Sequence, residues 1–410
     1  MRTRTASFSW LAVAAVVILG GPSAAGAQQV VKLAEGETLT ISGFISTTLF
    51  NDRGLFASFG QGQNAEFPAS PANQPGIGQS ITDGDFRNTR LRFDFASPPV
   101  LGKWAPRATV EVDFFGAFNG VPPFGDEQPQ LRARLIYADL ANGRTTLRIG
   151  QDWSPSFAET PVSLTHIAFP LGYGASGKIG WRFPGIFLFQ DLSAAGAPLN
   201  VQLQLAAMKG SGAAASARDT TNGVGMGEAS GLPQLEAKLN FAKRSANLTW
   251  SAYVVGHIDW KDTTGTGVPG SNMTGTAFEA GGSVAPGHLT LHGNVYYGKA
   301  VGQLFAHITQ NAPAKGDIRG WGAWAQAGYD FTPHWSFLAF YGLDQPDLQR
   351  FTQDHPTVTL LRQGSHVGDG LLRFRAGRYA VGLEYYRSVT QWSTGVTSAD
   401  QYALSLLYTL

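Results

Sequence analysis

The chain has 410 residues and no cysteine. That excludes disulfide staples, thiolate nucleophiles and cysteine-based zinc sites. Charge is sparse and balanced: 30 Lys and Arg stand against 29 Asp and Glu, a formal net of +1. No field of the whole protein points to nucleic acid, so any charged function must come from local placement. Beyond the first two dozen residues there is no apolar run of about 20, which leaves no sequence signal for a membrane-crossing helix. What is abundant is Gly, at 51 residues, together with 12% aromatics. This mixture suits an all-β chain with tight turns.

The first residues read as a secretory signal. Arg2 and Arg4 give a basic start, Trp10–Gly21 an apolar core, and Ala25-Gly26-Ala27 the small-residue pattern that signal peptidase cuts after. The expectation is a cleaved leader over 1–27 and a mature protein over 28–410; an N-terminal membrane anchor is the competing reading.

The rest repeats one unit, about ten residues of strict alternation followed by a break. In Asn88–Phe95, Thr89, Leu91, Phe93 and Phe95 share one face, and Asn88, Arg90, Arg92 and Asp94 the other. Arg107–Phe114 and Gln234–Phe241 behave alike. Sixteen segments are expected: 39–50, 86–96, 104–115, 130–140, 144–151, 174–183, 199–208, 232–242, 246–260, 273–285, 287–299, 318–331, 334–343, 365–376, 378–390 and 399–409. A stretch at Ile186–Leu192 competes for strand status, and 184–198 is awkwardly long for a turn.

The breaks alternate in length. Long ones span 51–85, 116–129, 152–173, 209–231, 261–272, 300–317, 344–364 and 391–398; short ones include Ala141-Asn142-Gly143, Lys243-Arg244-Ser245 and Gly377. Short turns on one side and long loops on the other describe an all-β transmembrane antiparallel barrel of about 16 strands, with both ends in the periplasm. A two-domain β-sandwich would also alternate, but it needs a linker that the chain lacks. Trp104, Trp181, Trp250, Tyr253, Trp335, Tyr379 and Tyr385 are candidates for the interfacial girdles. In the last strand Tyr402, Leu404, Leu406, Tyr408 and Leu410 share a face. This resembles the C-terminal strand that outer-membrane assembly machinery recognises, with Leu in place of the usual terminal Phe.

In length, strand plan and placing of a third long loop after the fifth strand, the chain resembles the sixteen-stranded porins of Gram-negative bacteria. Gln130-Leu131-Arg132-Ala133-Arg134-Leu135-Ile136-Tyr137 followed by Leu147-Arg148-Ile149-Gly150-Gln151-Asp152-Trp153-Ser154 is similar to DcaP-type porins. The usual leading coiled coil of that group, and the Pro-Glu-Phe-Gly-Gly loop motif of the general porins, are both missing. The resemblance implies a homotrimer in the outer membrane, a third loop folded inward as a constriction, and small organic anions such as dicarboxylates as solutes.

The polar faces of neighbouring strands would bring Arg90, Arg92, Arg107, Arg132, Arg134, Arg148, Lys178 and Arg182 to the lumen as a basic strip, offset by Asp94, Glu111, Asp113 and Asp139. A charge facing lipid at mid-height would cost about 2–4 kcal/mol. On the loop over 152–173, Asp152, Glu159 and His166 are the polar candidates, the two acids facing the strip and setting a transverse field. Two readings stand, an anion path or arginines that only pair with nearby carboxylates. Arg373 and Arg375 beside Glu384 form a second basic pair. His288 with His292 as a metal site, Asp83, Asp85 or Asp369 as calcium ligands, and Gly223, Gly225 and Gly227 as a phosphate loop are all weaker than their plain structural alternatives, so neither metal nor cofactor is expected.

The expected function is passive diffusion of small hydrophilic solutes with a mild anion preference, in contact with outer-membrane lipid and lipopolysaccharide. Two alternatives are a substrate-specific channel for small organic acids and, remotely, a lipase-type barrel enzyme. The enzyme would need Ser, His and an orienting polar group on the outer rim, and no such cluster stands out. An energy-coupled transporter would need a plug domain for which there is no room.

Overall fold

The computed structural model describes residues 29–57, 62–74, 80–116, 129–194, 196–212, 223–245, 248–263, 273–310, 318–348 and 361–410. The leader expected over 1–27 lies outside them. In chain order the strands are β1 Gln29–Ala34, β2 Glu37–Arg53, β3 Ser80–Asp85, β4 Arg90–Ala96, β5 Ala105–Asp113, β6 Arg132–Asn142, β7 Thr145–Trp153, β8 Arg182–Asp191 and β9 Asn200–Met208. They continue as β10 Gln234–Arg244, β11 Leu248–Lys261, β12 Met273–Pro286, β13 Leu289–Lys299, β14 Arg319–Asp330, β15 Trp335–Asp347, β16 Arg362–Ala376, β17 Tyr379–Trp392 and β18 Gly395–Thr409.

Every pairing is antiparallel, and consecutive strands are neighbours from β4 to β18. The sheet closes where β18 pairs with β2, from Thr409 opposite Phe44 to Asp400 opposite Arg53. β3 and β4 both pair with β2 and are two halves of one wall strand, broken at Phe86–Thr89. β1 folds back on the start of β2 as an N-terminal hairpin. The wall therefore has sixteen strands, as the alternation implied. With β18 joined to β2 the sheet is closed on itself and has no free first or last strand, which is what hydrocarbon demands.

The two-residue period sorts the side chains. Along β17, Ala380, Glu384, Tyr386, Ser388 and Trp392 are buried inward, and Tyr379, Leu383, Tyr385 and Arg387 are exposed outward. Tyr402, Leu404 and Leu406 face outward on β18 as expected. Tyr297, Trp321, Tyr341, Tyr385 and Tyr402 belt the long-loop side of the outer wall, and Tyr329, Phe331, Trp335 and Tyr379 the short-turn side. Trp181 and Tyr253 do not join a girdle: Trp181 packs on Phe305, and Tyr253 is buried with its hydroxyl on Glu279. Two-residue turns at Gly143 (φ 59°) and Gly377 (φ 57°) use the left-handed region that such hairpins require.

Two expected boundaries change. No strand covers 174–181, because Gly174, Gly177 and Gly180 adopt φ of 68°, 82° and 100°. The sixth wall strand is instead β8, so the third loop runs from 154 to 181. Residues 391–398 form no long loop either; β17 and β18 meet in a turn at Ser393-Thr394.

Candidate functional site

The lumen wall over β4–β8 carries the arginines that alternation assigned to it. Arg132 Nη2 lies 2.6 Å from Asp113 Oδ2. Arg134 reaches Glu111 through Nε and Asp113 through Nη1, both at 2.8 Å. Arg148 spans Asp139 at 2.7 Å and Asp152 at 2.5 Å. Arg92 pairs with Asp94 at 2.8 Å, Arg90 lies 3.6 Å from Glu111, and Arg87 holds Asp85 at 2.8 Å. Arg107 stays exposed near the short-turn end. Most of the strip is thus committed to carboxylates, the plainer of the two readings of its charge. Such buried pairs are costly to break from one side, because the widowed charge stays desolvated.

Arg182 differs. It is 4% exposed, no carboxylate among the described residues lies within 4.0 Å, and its Nε and Nη1 have no hydrogen-bond partner there. Its guanidinium sits in the corner of two perpendicular indoles, 4.8 Å from the ring centre of Trp153 and 4.5 Å from that of Trp181. Around it Trp153 stacks on Phe157 at 3.6 Å, and Tyr173 stacks on Phe305 at 4.0 Å. The ring faces attract the cation but do not neutralise it. The result is a positive charge in an aromatic box with no ion-pair partner among the described residues.

The third loop folds inward and makes a circuit of the lumen. Ser156 donates from its amide and hydroxyl to Glu236 on β10. Val162 exchanges two hydrogen bonds with the Gln326 side chain on β14. The amides of Leu164 and Thr165 converge on Glu384 of β17. At the break between β3 and β4, Asn88 turns in and clamps the loop twice, donating to Thr165 O and accepting from Ala168 N. The loop then crosses back, with Ser176 against Gly342 and Gly177 against Gly322. A Cβ on Gly177 would lie 2.6 Å from the Gly322 carbonyl carbon, so only glycine fits there.

Asp152, Glu159 and Lys178 stand elsewhere than expected, and His166 lies in the third loop but away from the strip. Asp152 belongs to the wall, on β7, and pairs with Arg148. Glu159 turns away from the strip, toward His292 at 3.5 Å and Ser251 at 3.3 Å. Burial pushes its carboxyl up, but the His292 hydrogen bond and Lys238 outweigh that and hold it below the usual range. His166 is buried, bonded to Gln401 and packed on Tyr386; burial lowers its pKa to about 4, so it is neutral. Lys178 lies in the loop and not on a wall strand, with its ammonium 3.7 Å from the Phe157 ring centre; burial lowers its pKa to about 7.

The transverse field expected from Asp152 and Glu159 is therefore not built by the loop. Acids gather on β15–β17 instead: Asp344, Asp369 and Glu384 are buried there, with Glu66 from the first long loop and Asp52 on the neighbouring β2. The wall over β4–β8 is arginine-rich and that over β15–β17 acid-rich, with the third loop between them. Composition could not reveal this, because the residues come from five separate stretches. Residues 300–310 also turn inward, and left-handed backbone at Phe305, His307, Ile308 and Thr309 seats Phe305 on Tyr173. Asp369 lies within β16, Asp85 is held by Arg87, and His292 binds Gln326 and Glu159. Gly225 caps a single helical turn at Met226–Ala229.

No protein-family model matches the chain, and no curated protein sequence does. Solved structures do match in fold. The outer membrane channel DcaP of Acinetobacter baumannii superposes with a TM-score of 0.68 at 16% identity, covering 93% of this chain and 99% of that one. OprB of Pseudomonas putida gives 0.54 at 9% identity over 91% of this chain and 94% of that one. OmpF of Salmonella typhi, solved in complex with daunomycin, gives 0.53 at 10% identity over 93% and 100%. The fold is thus that of outer-membrane channel barrels.

Proposed function

We propose that this chain, with the barrel fold of outer-membrane channels, is a passive channel for small hydrophilic solutes in the outer membrane, with a preference for anions. The observation that carries the preference is Arg182, a buried guanidinium with no carboxylate within 4.0 Å among the described residues, beside the narrowing made by the third loop. Its neighbours Arg132 and Arg134 are spent on Asp113 and Glu111, so Arg182 supplies the net charge that a passing anion meets. Nothing covalent is needed, and the fold's neighbours are channels. A trimer is the assembly we expect, by likeness in fold.

A second reading is favoured by how much of the lumen the loops occupy. The third loop is buried almost throughout and meets Phe305 and Glu66 of two other inserted loops. A narrow bore with an aromatic box around one cation suits a channel selective for small organic acids over an open sieve.

Single-channel recording of the refolded protein in a planar bilayer, with the reversal potential read under a salt gradient, tests both. Conductance with an anion-selective reversal potential is expected. Brief blockades by a small organic acid, absent with a neutral solute of like size, would favour the narrower reading. A cation-selective reversal potential would refute the anion preference, and folded protein without conductance would refute the channel.

A further inference from the structure

The outer wall over β12–β16 carries a trough of missing side chains. The alternation that sends Leu291 and Tyr341 outward also sends Gly293 and Ala339 outward, and these small residues align across strands. Gly282 pairs with Gly293 and Gly293 with Ala325; one pleat along, Ala327 pairs with Ala339 and Ala339 with Gly370. The floor forms two adjoining grooves of about 630 and 470 Å³, with Tyr341 as the ridge between them.

The trough has a polar upper end, on the long-loop side. The second groove is rimmed by His366 and Arg387. His366 Nδ1 meets the Tyr341 hydroxyl at 2.9 Å, and Arg387 reaches Asp400 at 2.9 Å while its side chain remains 49% exposed. At the same end Lys299 stands opposite Arg319, itself opposite Asp347, at the strand ends, in line with the outward Tyr297 and Trp321. Basic groups just beyond an aromatic belt, above an apolar trough, match an amphipath with an anionic head and acyl tails.

We infer that this face holds one ordered molecule of the phosphorylated, multiply acylated glycolipid of the outer leaflet. Its acyl chains lie along the Gly and Ala floor, and a phosphate sits at Arg387 and His366. The choice of source follows from height, since the cations lie at the external end of the strands. The inference rests on the barrel spanning the outer membrane and not on what the channel passes.

Native mass spectrometry of the refolded protein, titrated with bisphosphorylated hexa-acyl lipid A and separately with phosphatidylglycerol, is the test. Lipid A is expected to stay bound through detergent release. The double variant Arg387→Gln with His366→Gln should weaken it about tenfold, the loss of a charge-assisted phosphate contact. Ala339→Leu, which fills the floor and leaves the lumen untouched, should abolish the tightest copy without changing conductance. Equal binding by wild type and both folded variants would overturn the inference, as would equally tight phosphatidylglycerol. Ala339→Cys adds a sole cysteine to the chain; disulfide-linked copies through it would assign the face to a subunit interface and overturn it too.

Discussion

Replacing Arg182 with glutamine keeps most of the side chain's length and removes one positive charge from the box of Trp153 and Trp181. A solute carboxylate about 4 Å from that guanidinium gains about 1 kcal/mol in bulk water and about 4 kcal/mol at the effective dielectric near a protein surface. Even the lower figure is a factor of about five in an equilibrium or relative permeability. Arg132 and Arg134 offer no replacement, since both are bound to carboxylates at 2.6–2.8 Å. The variant loses two cation–π contacts worth about 0.5–2 kcal/mol each, and its relieved burial of an unpaired charge offsets part of that. It should fold, which a heat-dependent gel shift would show. The assay is the reversal potential at about 0.1 M salt, where screening acts over about 10 Å. The anion-to-cation permeability ratio should fall at least about fivefold in Arg182→Gln, and by much less in Arg107→Gln. An unchanged ratio in folded Arg182→Gln would refute the reasoning, because anions would then be passing without meeting this charge.

Gly177→Val places a branched side chain at φ 82° and against Gly322; left-handed strain and overlap together cost about 2–5 kcal/mol, so the third loop should detach there, raising conductance and exposing the loop to protease. Lys178, lowered to about 7 by burial, is a cation below that pH and neutral above it. Anion preference should therefore rise as pH falls from 8 to 6, and Lys178→Met should flatten that rise in a reversal-potential titration. Asp113→Asn takes from Arg132 and Arg134 the buried carboxylate that they share, so denaturant unfolding should show a loss of about 3–5 kcal/mol.

The wall was largely legible because period-two alternation is forced on any strand with lipid on one side and water on the other. Arg90, Arg134 and Arg148 fell on the lumen face by that rule alone. The rule ended where the loop began. Residues 174–181 looked strand-like by composition, but three left-handed glycines bend them across the lumen. Lys178 was carried with them to a wall it does not occupy. Asp152 and Glu159 were placed by proximity in sequence, whereas their partners were decided by the loop's circuit: Arg148 on the same strand, and His292 133 residues away in sequence. The uncommitted state of Arg182 was invisible, since no local pattern says which of several arginines will lack a carboxylate.

The circuit of the third loop also bears on the order of assembly. Wall strands pair almost entirely with their neighbours in sequence, so each hairpin can form as soon as its two strands exist. The loop's bonds are of the opposite kind. Ser156 to Glu236, Val162 to Gln326, Thr165 to Glu384 and Thr165 to Ser405 join residues 80, 164, 219 and 240 positions apart. Their partners lie on β10, β14, β17 and β18, and the full circuit comes together only once β18 has met β2. Closure entropy favours the local pairings first. Seating of the loop is therefore the closing event of folding, and a barrel missing its last strands would keep an unseated loop.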